Sequence, residues 1–359
     1  MADAVLYTHL QPGAPALGLG IKGSAVIDNN GVVGFFNLLI PCLVTGYGTG
    51  ATAKPGQGWT LVRSELPQHF TIKSPDGVFY SFGRGPNQNQ YPYANMCQLF
   101  LSENVTDASV FPPQGTNVRS YAHSVDYSSS NSRHWMCPSH YYAITPGNWF
   151  LIARGSQVFF ISNWNENSAG GMGGYGDNPL TSAANYGCMY FFGNFTFPDA
   201  LIPKSGPQNH MALGGNYREN TWPPSSESDT YLLQYGTRLR NPLTGAVETA
   251  VMPTVQSYCS LKTGYGGAKL GIPAYAPDMS LTVQDVYDPV LGFFATLPGI
   301  FRDEFYSHRS AQEVSRALGK GGTLAECLEP FDFNGDPIYL VPTPYGTAFF
   351  CLKEKYWNA

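Results

Sequence analysis

The sequence predicts an all-β fold, a multi-lobed antiparallel architecture of sandwich or barrel type with one or two short helices near the C-terminus. Three observations predict it. The 359 residues include 40 Gly and 28 Pro, which interrupt helices, while 14% are aromatic and only 13% charged, too apolar a mixture for a disordered chain. Short apolar runs alternate with turn-forming clusters along most of the length. Helix start signals appear only in the C-terminal third. A chain this long can bury two or three cores, so neither disulfides nor metals are needed to hold it together.

Taken in order, residues 24–27 read as a strand before the turn Asp28-Asn29-Asn30-Gly31. Leu38-Leu39-Ile40 leads into Leu43-Val44, halts at Gly46, Gly48 and Gly50, and restarts at Trp59-Thr60-Leu61-Val62, which reads as strand, Gly-rich turn and strand. Residues 70–72 and 78–82 flank Pro75-Asp76-Gly77; Pro presets the first corner of a turn and Gly accepts the left-handed conformation after it, so a hairpin is expected. These elements make an N-terminal β lobe, residues 1–130, closed by the polar Ser128-Ser129-Ser130-Asn131-Ser132. A central lobe, 131–228, holds an apolar hairpin at 149–162 with its turn at Arg154-Gly155, a strand at 190–192, and a long Gly/Asn-rich loop at 163–178. Such a loop is expected to move, or to order against a partner. A polar, proline-containing stretch at 216–228 leads to the C-terminal lobe, 229–359, with apolar runs at 231–235 and 290–294. There Ser310-Ala-Gln-Glu313 and Thr323-Leu-Ala-Glu326 fit capping boxes, and Gly319 fits a helix stop. Asn334-Gly335 predicts a type I′ hairpin, and residues 348–352 the last strand.

A net charge of −5 with scattered Lys and Arg argues against nucleic acid as a partner. No apolar run reaches membrane-spanning length, and Met1-Ala2-Asp3-Ala4 lacks the basic start of a signal peptide, so a membrane is not expected as a partner and synthesis is expected in the cytoplasm. The seven cysteines are odd in number and widely spaced, which predicts reduced, mostly buried thiols. The formal glycosylation sequons at Asn104 and Asn194 carry no weight without secretion.

His134, Cys137 and His140 have metal-ligand types at close spacing, but a structural zinc site needs four ligands and no second cluster follows. Asp332, Asn334 and Asp336 alternate like a calcium loop, yet the Gly falls too early and the twelfth-position Glu is missing; the hairpin turn is the better reading. No nucleophile elbow, phosphate loop, dinucleotide fingerprint or zinc-protease motif occurs, so no catalytic, cofactor-binding or metal residues are assigned and no enzyme is expected. A pair of carboxylates brought together by the fold could still cleave a polysaccharide, with Asp285, Asp288, Asp303 and Glu304 as candidates against the plainer reading of surface or capping roles. Tyr91 and Tyr93, Tyr141 and Tyr142, and Phe191 and Phe192 could stack on sugar rings or fill β-cores and subunit interfaces; their number favours the cores and interfaces.

Cys42-Leu-Val-Thr-Gly-Tyr-Gly48, followed by Gly58-Trp59-Thr60, resembles a Cys-Leu-Val-x-Gly-Tyr-Gly and Gly-Trp-Thr pattern near the N-terminus of virion structural proteins of tailed bacteriophages. In the same order, residues 149–160 resemble that family's central hairpin, Phe192-Gly193-Asn194-Phe195 its Phe-Gly-Asp/Asn-Phe turn, and Leu297-Pro298-Gly299-Ile300, with His308 downstream, its Leu-Pro-Gly-Leu segment. Two departures stand out. Ile40-Pro41 replace the acidic residue that the family often has before its Cys, and Lys353-Glu-Lys-Tyr-Trp357 replaces its Thr-Gly-Pro-Trp ending. The resemblance implies a late protein made in the host bacterial cytoplasm and built into the virion, in the tail or baseplate or at the head–tail junction. Its implied partners are other virion proteins and copies of itself. A capsid decoration protein is one alternative, and a receptor protein that binds or cleaves a host surface glycan is another.

Overall fold

The structure, a computed structural model, describes residues 3–17, 30–84, 97–120, 123–124, 133–134, 148–164, 186–194, 210–216, 239–240, 247–248, 252–253, 279–288, 292–303, 306, 311–343 and 346–357. Strand β1 (Val5–Thr8) precedes helix α1 (Asn30–Ile40), a π-helical turn (Pro41–Thr45) and a 3-10 turn (Gly50–Thr52). Next come β2 (Thr60–Glu65), β3 (His69–Lys73), β4 (Phe79–Arg84), β5 (Cys97–Ser102), β6 (Asn104–Asp107), β7 (Gln114–Thr116) and β8 (Arg119–Ser120). The short β9 (His123–Ser124) and β10 (Arg133–His134) pair with each other, before β11 (Asn148–Arg154), β12 (Gln157–Trp164), β13 (Tyr186–Asn194) and β14 (His210–Asn216). Then follow β15 (Leu239–Arg240), β16 (Val247–Glu248), β17 (Met252–Pro253), β18 (Thr282–Asp288) and β19 (Gly292–Arg302). Helices α2 (Ala311–Ala317) and α3 (Leu324–Leu328) lead to β20 (Phe331–Phe333), β21 (Asp336–Thr343) and β22 (Gly346–Cys351).

The fold is all-β in class, and its strand pairings are antiparallel. Three sheets dominate the described residues, in the orders β2-β3-β4-β5-β8, β1-β11-β12-β13-β14 and β17-β18-β19-β22-β21-β20. The middle one is buried on both faces. Trp149, Leu151, Ala153, Val158, Phe160, Tyr190 and Phe192 join a core with the first sheet, while the alternating Phe150, Ile152, Phe159, Ile161, Met189 and Phe191 join a core with the third. Successive side chains in a strand point to opposite faces, so a strand covered on both sides must be apolar throughout. The uninterrupted run Trp149-Phe-Leu-Ile-Ala153 meets that demand, and Phe150, Leu151 and Ile152 each contribute about 1.5–3 kcal/mol on burial. A third core lies on the far side of the last sheet, where Phe301, Leu340 and Phe349 pack with Val314 of α2.

Helix α1 corrects the strand expected around Leu38–Val44. Its only exposed side chain among residues 34–39 is Asn37, and the Phe35 ring lies 6.1 Å from Phe82 of the first sheet and 4.7 Å from Phe160 of the central sheet. A helix wedged between two sheets is apolar almost all round, so its 3.6-residue period vanishes into a continuous apolar run. The run extends through the π-helical turn, which ends where Gly46 donates to Pro41 O at 2.7 Å with a φ of 78°. The strand expected at 24–27 lies outside the described residues, and Asn30 and Gly31, assigned to a turn, begin the helix.

The other expected elements fare differently by region. The β3–β4 hairpin turns at Pro75-Asp76-Gly77 as expected, the β11–β12 hairpin turns at Gly155, and Asn334 and Gly335 both take the positive φ of a type I′ turn. Thr323 and Glu326 form a full capping box on α3, whereas Ser310 lies outside the described residues. Of the expected turn Phe192-Gly193-Asn194-Phe195, the first three residues are strand, paired with Ala212, Met211 and His210, and Phe195 lies outside the described residues. Strand β1, from the N-terminal lobe, pairs with β11 of the central sheet, Val5 opposite Ala153 and Thr8 opposite Phe150. The lobe boundaries at 130 and 228, the run at 231–235 and the loop beyond Trp164 lie outside the described residues.

Candidate functional site

The Arg154-Gly155 turn between β11 and β12 is where most of the segments singled out in the sequence meet. The Trp59 indole N–H donates to Gly155 O at 2.8 Å, and Gly155 N–H donates to Gln57 Oε1 at 3.3 Å. Gln57 Nε2 donates in turn to the Tyr7 hydroxyl at 2.6 Å, which donates to Pro55 O at 2.5 Å. The Trp59 ring stands edge-on to Tyr80 at 5.0 Å and to Phe192 at 6.1 Å, so one side chain links the Gly-rich strap, the first sheet and the central sheet. Gly56 sits against Val44 O so closely that a Cβ would stand 2.4 Å away, which explains a glycine in the strap.

Asp76, at the tip of the β3–β4 hairpin, closes the same junction from the other side. Its Oδ1 accepts from Ser74 Oγ and Ser156 Oγ, each at 2.6 Å, and its Oδ2 accepts from Asn194 Nδ2 at 3.3 Å. Gly193 lies so near Ser156 O that a Cβ would come within 2.0 Å. Arg154 reaches the opposite way, donating to Trp357 O at 3.1 Å and to Glu354 Oε1 at 2.9 Å. Trp357 packs on Gly299, where a Cβ would stand 2.2 Å from its ring. Leu297-Pro298-Gly299-Ile300 therefore belongs to the same network. These four residues fall where the β18–β19 register slips between Thr296 and Phe301, as expected of a bulge built on Pro and Gly.

The electrostatics of this region favour neutral groups. Burial pushes the phenols of Tyr7 and Tyr47 and the thiol of Cys42 well above their usual ranges, and it lowers His9 against an opposing contact with the Trp149 backbone. A thiol held protonated is a poor nucleophile. Hydroxyls, amides and one carboxylate locked onto backbone and turn atoms give a fastening, with its donors and acceptors spent on the fold itself.

The candidate residues fall in several places. Asp303 is 3% exposed and accepts from Ser280 N at 2.8 Å and Tyr306 N at 2.7 Å, so it ties down backbone. Asp285 and Asp288 stand on β18 opposite Thr296 and Gly292; Glu304 lies outside the described residues. Asp336 Oδ2 accepts from Lys355 Nζ at 2.8 Å and Tyr356 OH at 2.6 Å, and Asp332 Oδ1 accepts from Gly335 N at 3.2 Å within the hairpin. His134 pairs through backbone with His123, while Cys137, His140, Tyr91, Tyr93, Tyr141, Tyr142 and His308 lie outside the described residues. Phe191 and Phe192 are 2% and 0% exposed, core residues closed to a sugar ring. Cys42, Cys97, Cys327 and Cys351 are buried free thiols. Among the described residues no group of three or more His, Cys, Asp and Glu is placed to hold a metal ion, and no helix is long and apolar enough to cross a membrane.

Sequence reasoning missed Tyr7, Gln57, Ser156 and the fastening role of Asp76. The signal for Asp76 was its turn position beside Ser74, because the partners it reaches on the central sheet lie 80 and 118 residues away along the chain. In comparisons with known proteins, no family model matches the chain and no curated protein matches it.

Proposed function

We propose that the chain is a structural subunit of a tailed-phage virion, in the tail or baseplate or at the head–tail junction, and that it works by assembly rather than catalysis. The observation that carries this reading is the convergence of the virion-like segments on one packed junction. Gly58-Trp59, Arg154-Gly155, Gly193-Asn194 and Leu297-Pro298-Gly299 all serve contacts that fasten sheet to sheet. Segments spent on packing suit a subunit whose task is to hold a rigid shape against its neighbours, since function lives in what a fold presents and not in the fold class. The charge-poor, aromatic-rich composition supports the same reading.

Sedimentation of lysates from infected cells, followed by immunodetection, tests it. The chain should travel with tails or whole particles, and single replacement of Asp285, Asp288 or Glu304 should leave infectivity intact. A carboxylate variant that forms complete particles unable to degrade host surface polysaccharide would replace this reading with the enzyme alternative. Attachment to the outside of preformed, DNA-filled heads would replace it with capsid decoration.

A further inference from the structure

Beyond Cys351 the chain leaves the sheet, makes the 3-10 turn Glu354–Tyr356 and inserts Trp357 into the seam between the central and last sheets, while the half-buried Tyr356 ring packs edge-on to Phe301 at 5.0 Å. Trp357 is 1% exposed, its indole N–H donates to Cys351 O at 2.7 Å, and its ring stands edge-on to Phe159 at 6.0 Å over the Cβ-less floor of Gly299. Tyr356 adds a hydrogen bond from its hydroxyl to Asp336 Oδ2 at 2.6 Å, and the charged side chains that precede it are held by ion pairs. Lys353 lies 3.6 Å from Asp3, Lys355 lies 2.8 Å from Asp336, and Arg154 holds Glu354 at 2.9 Å. The Lys353 and Lys355 side chains are 47% and 60% exposed, and pairs of that kind contribute little. Trp357 and Tyr356 thus anchor a strap that touches the N-terminal segment at Asp3, the central hairpin and the last sheet.

We propose that residues 353–357 are a clasp, a built-in ligand that opens and closes on its own while the sheets beneath stay folded, and whose opening uncovers an indole-sized slot over Gly299. A five-residue segment held by two aromatic side chains and few protected amides opens at lower free energy than sheets packed on both faces. This inference is independent of the virion reading.

Hydrogen exchange on the full chain tests it. The amides of Glu354, Tyr356 and Trp357, which donate to Asp3 Oδ1, Lys353 O and Glu354 O, should exchange at least about tenfold faster than those of β22 and respond weakly to denaturant, because local opening exposes little surface. Equal rates and equal denaturant dependence in the two segments would overturn the proposal. Arg154→Met should speed exchange in the clasp alone, and loss of protection across β22 as well would overturn it. Glu354→Gln supplies the same comparison should Arg154→Met fail to fold. A labelled peptide spanning residues 352–359 should bind folded Trp357→Ala protein and not the unaltered chain. Equal binding to both, or none to the folded variant, would count against the slot.

Discussion

Individual residues show why the glycine positions of this chain matter. Gly299 has a φ of 66° and faces the Trp357 ring, so any Cβ is strained twice, by backbone conformation and by the indole. Gly299→Ala should cost about 2–4 kcal/mol, read from urea unfolding, whereas alanine at Gly335, whose Cβ position meets open space, should cost only the left-handed backbone penalty of about 1–2 kcal/mol. Buried titratable groups give a pH signature. His9 is lowered from 6.5, so below that pH the unfolded state takes up a proton that the fold refuses, and stability falls as pH drops. Cys42 is raised from 9.0, and Tyr7 and Tyr47 from 10.0, so above those values the unfolded chain loses protons that the fold retains, and stability falls again. Urea midpoints should therefore peak between about pH 7 and about pH 9. A flat profile across that range and beyond would contradict the buried, neutral environment of these groups.

Elements were legible where local chemistry sets them and illegible where packing does. The β3–β4 and β20–β21 hairpins follow from turn residues whose φ preferences act within four positions, and the α3 capping box is equally local. Thr323→Ala should lower stability by about 1 kcal/mol, while Thr323→Ser should be nearly silent, as thermal unfolding of the two variants can show. Helix α1 was hidden for the opposite reason. Burial on both sides removed the polar stripe that would have marked its period, and Phe36, 5.0 Å from Phe70, looks in sequence like any strand phenylalanine. Gly193 was misassigned to a turn because its glycine answers a close approach from Ser156 within a strand, a contact invisible without the partner strand.

At the scale of the whole molecule, a doubly buried central sheet joins the first and last sheets, and the sequence pattern alone could not reveal which runs would stack on which. The continuous apolar strands 149–153 and 158–161 carried that information only in part: they signal burial on two faces, but the residues of the other sheets that cover each face lie far away along the chain. Trp149 is fully buried, and its indole N–H donates to Pro15 O at 2.9 Å, so it ties the N-terminal segment to this sheet. Trp149→Ala should cost about 3–5 kcal/mol and, if the chain works by assembly, yield incomplete particles rather than complete but inactive ones. The fastening at Arg154-Gly155 could not be foreseen either, because Gln57, Asp76 and Glu354 reach it from three distant stretches of the chain. Imaging the purified particle at a resolution that traces the backbone tests the proposed role most directly. The account predicts repeated copies of the three stacked sheets in contact with one another or with other virion proteins in the tail, the baseplate or the neck; a particle that lacks the chain would contradict it.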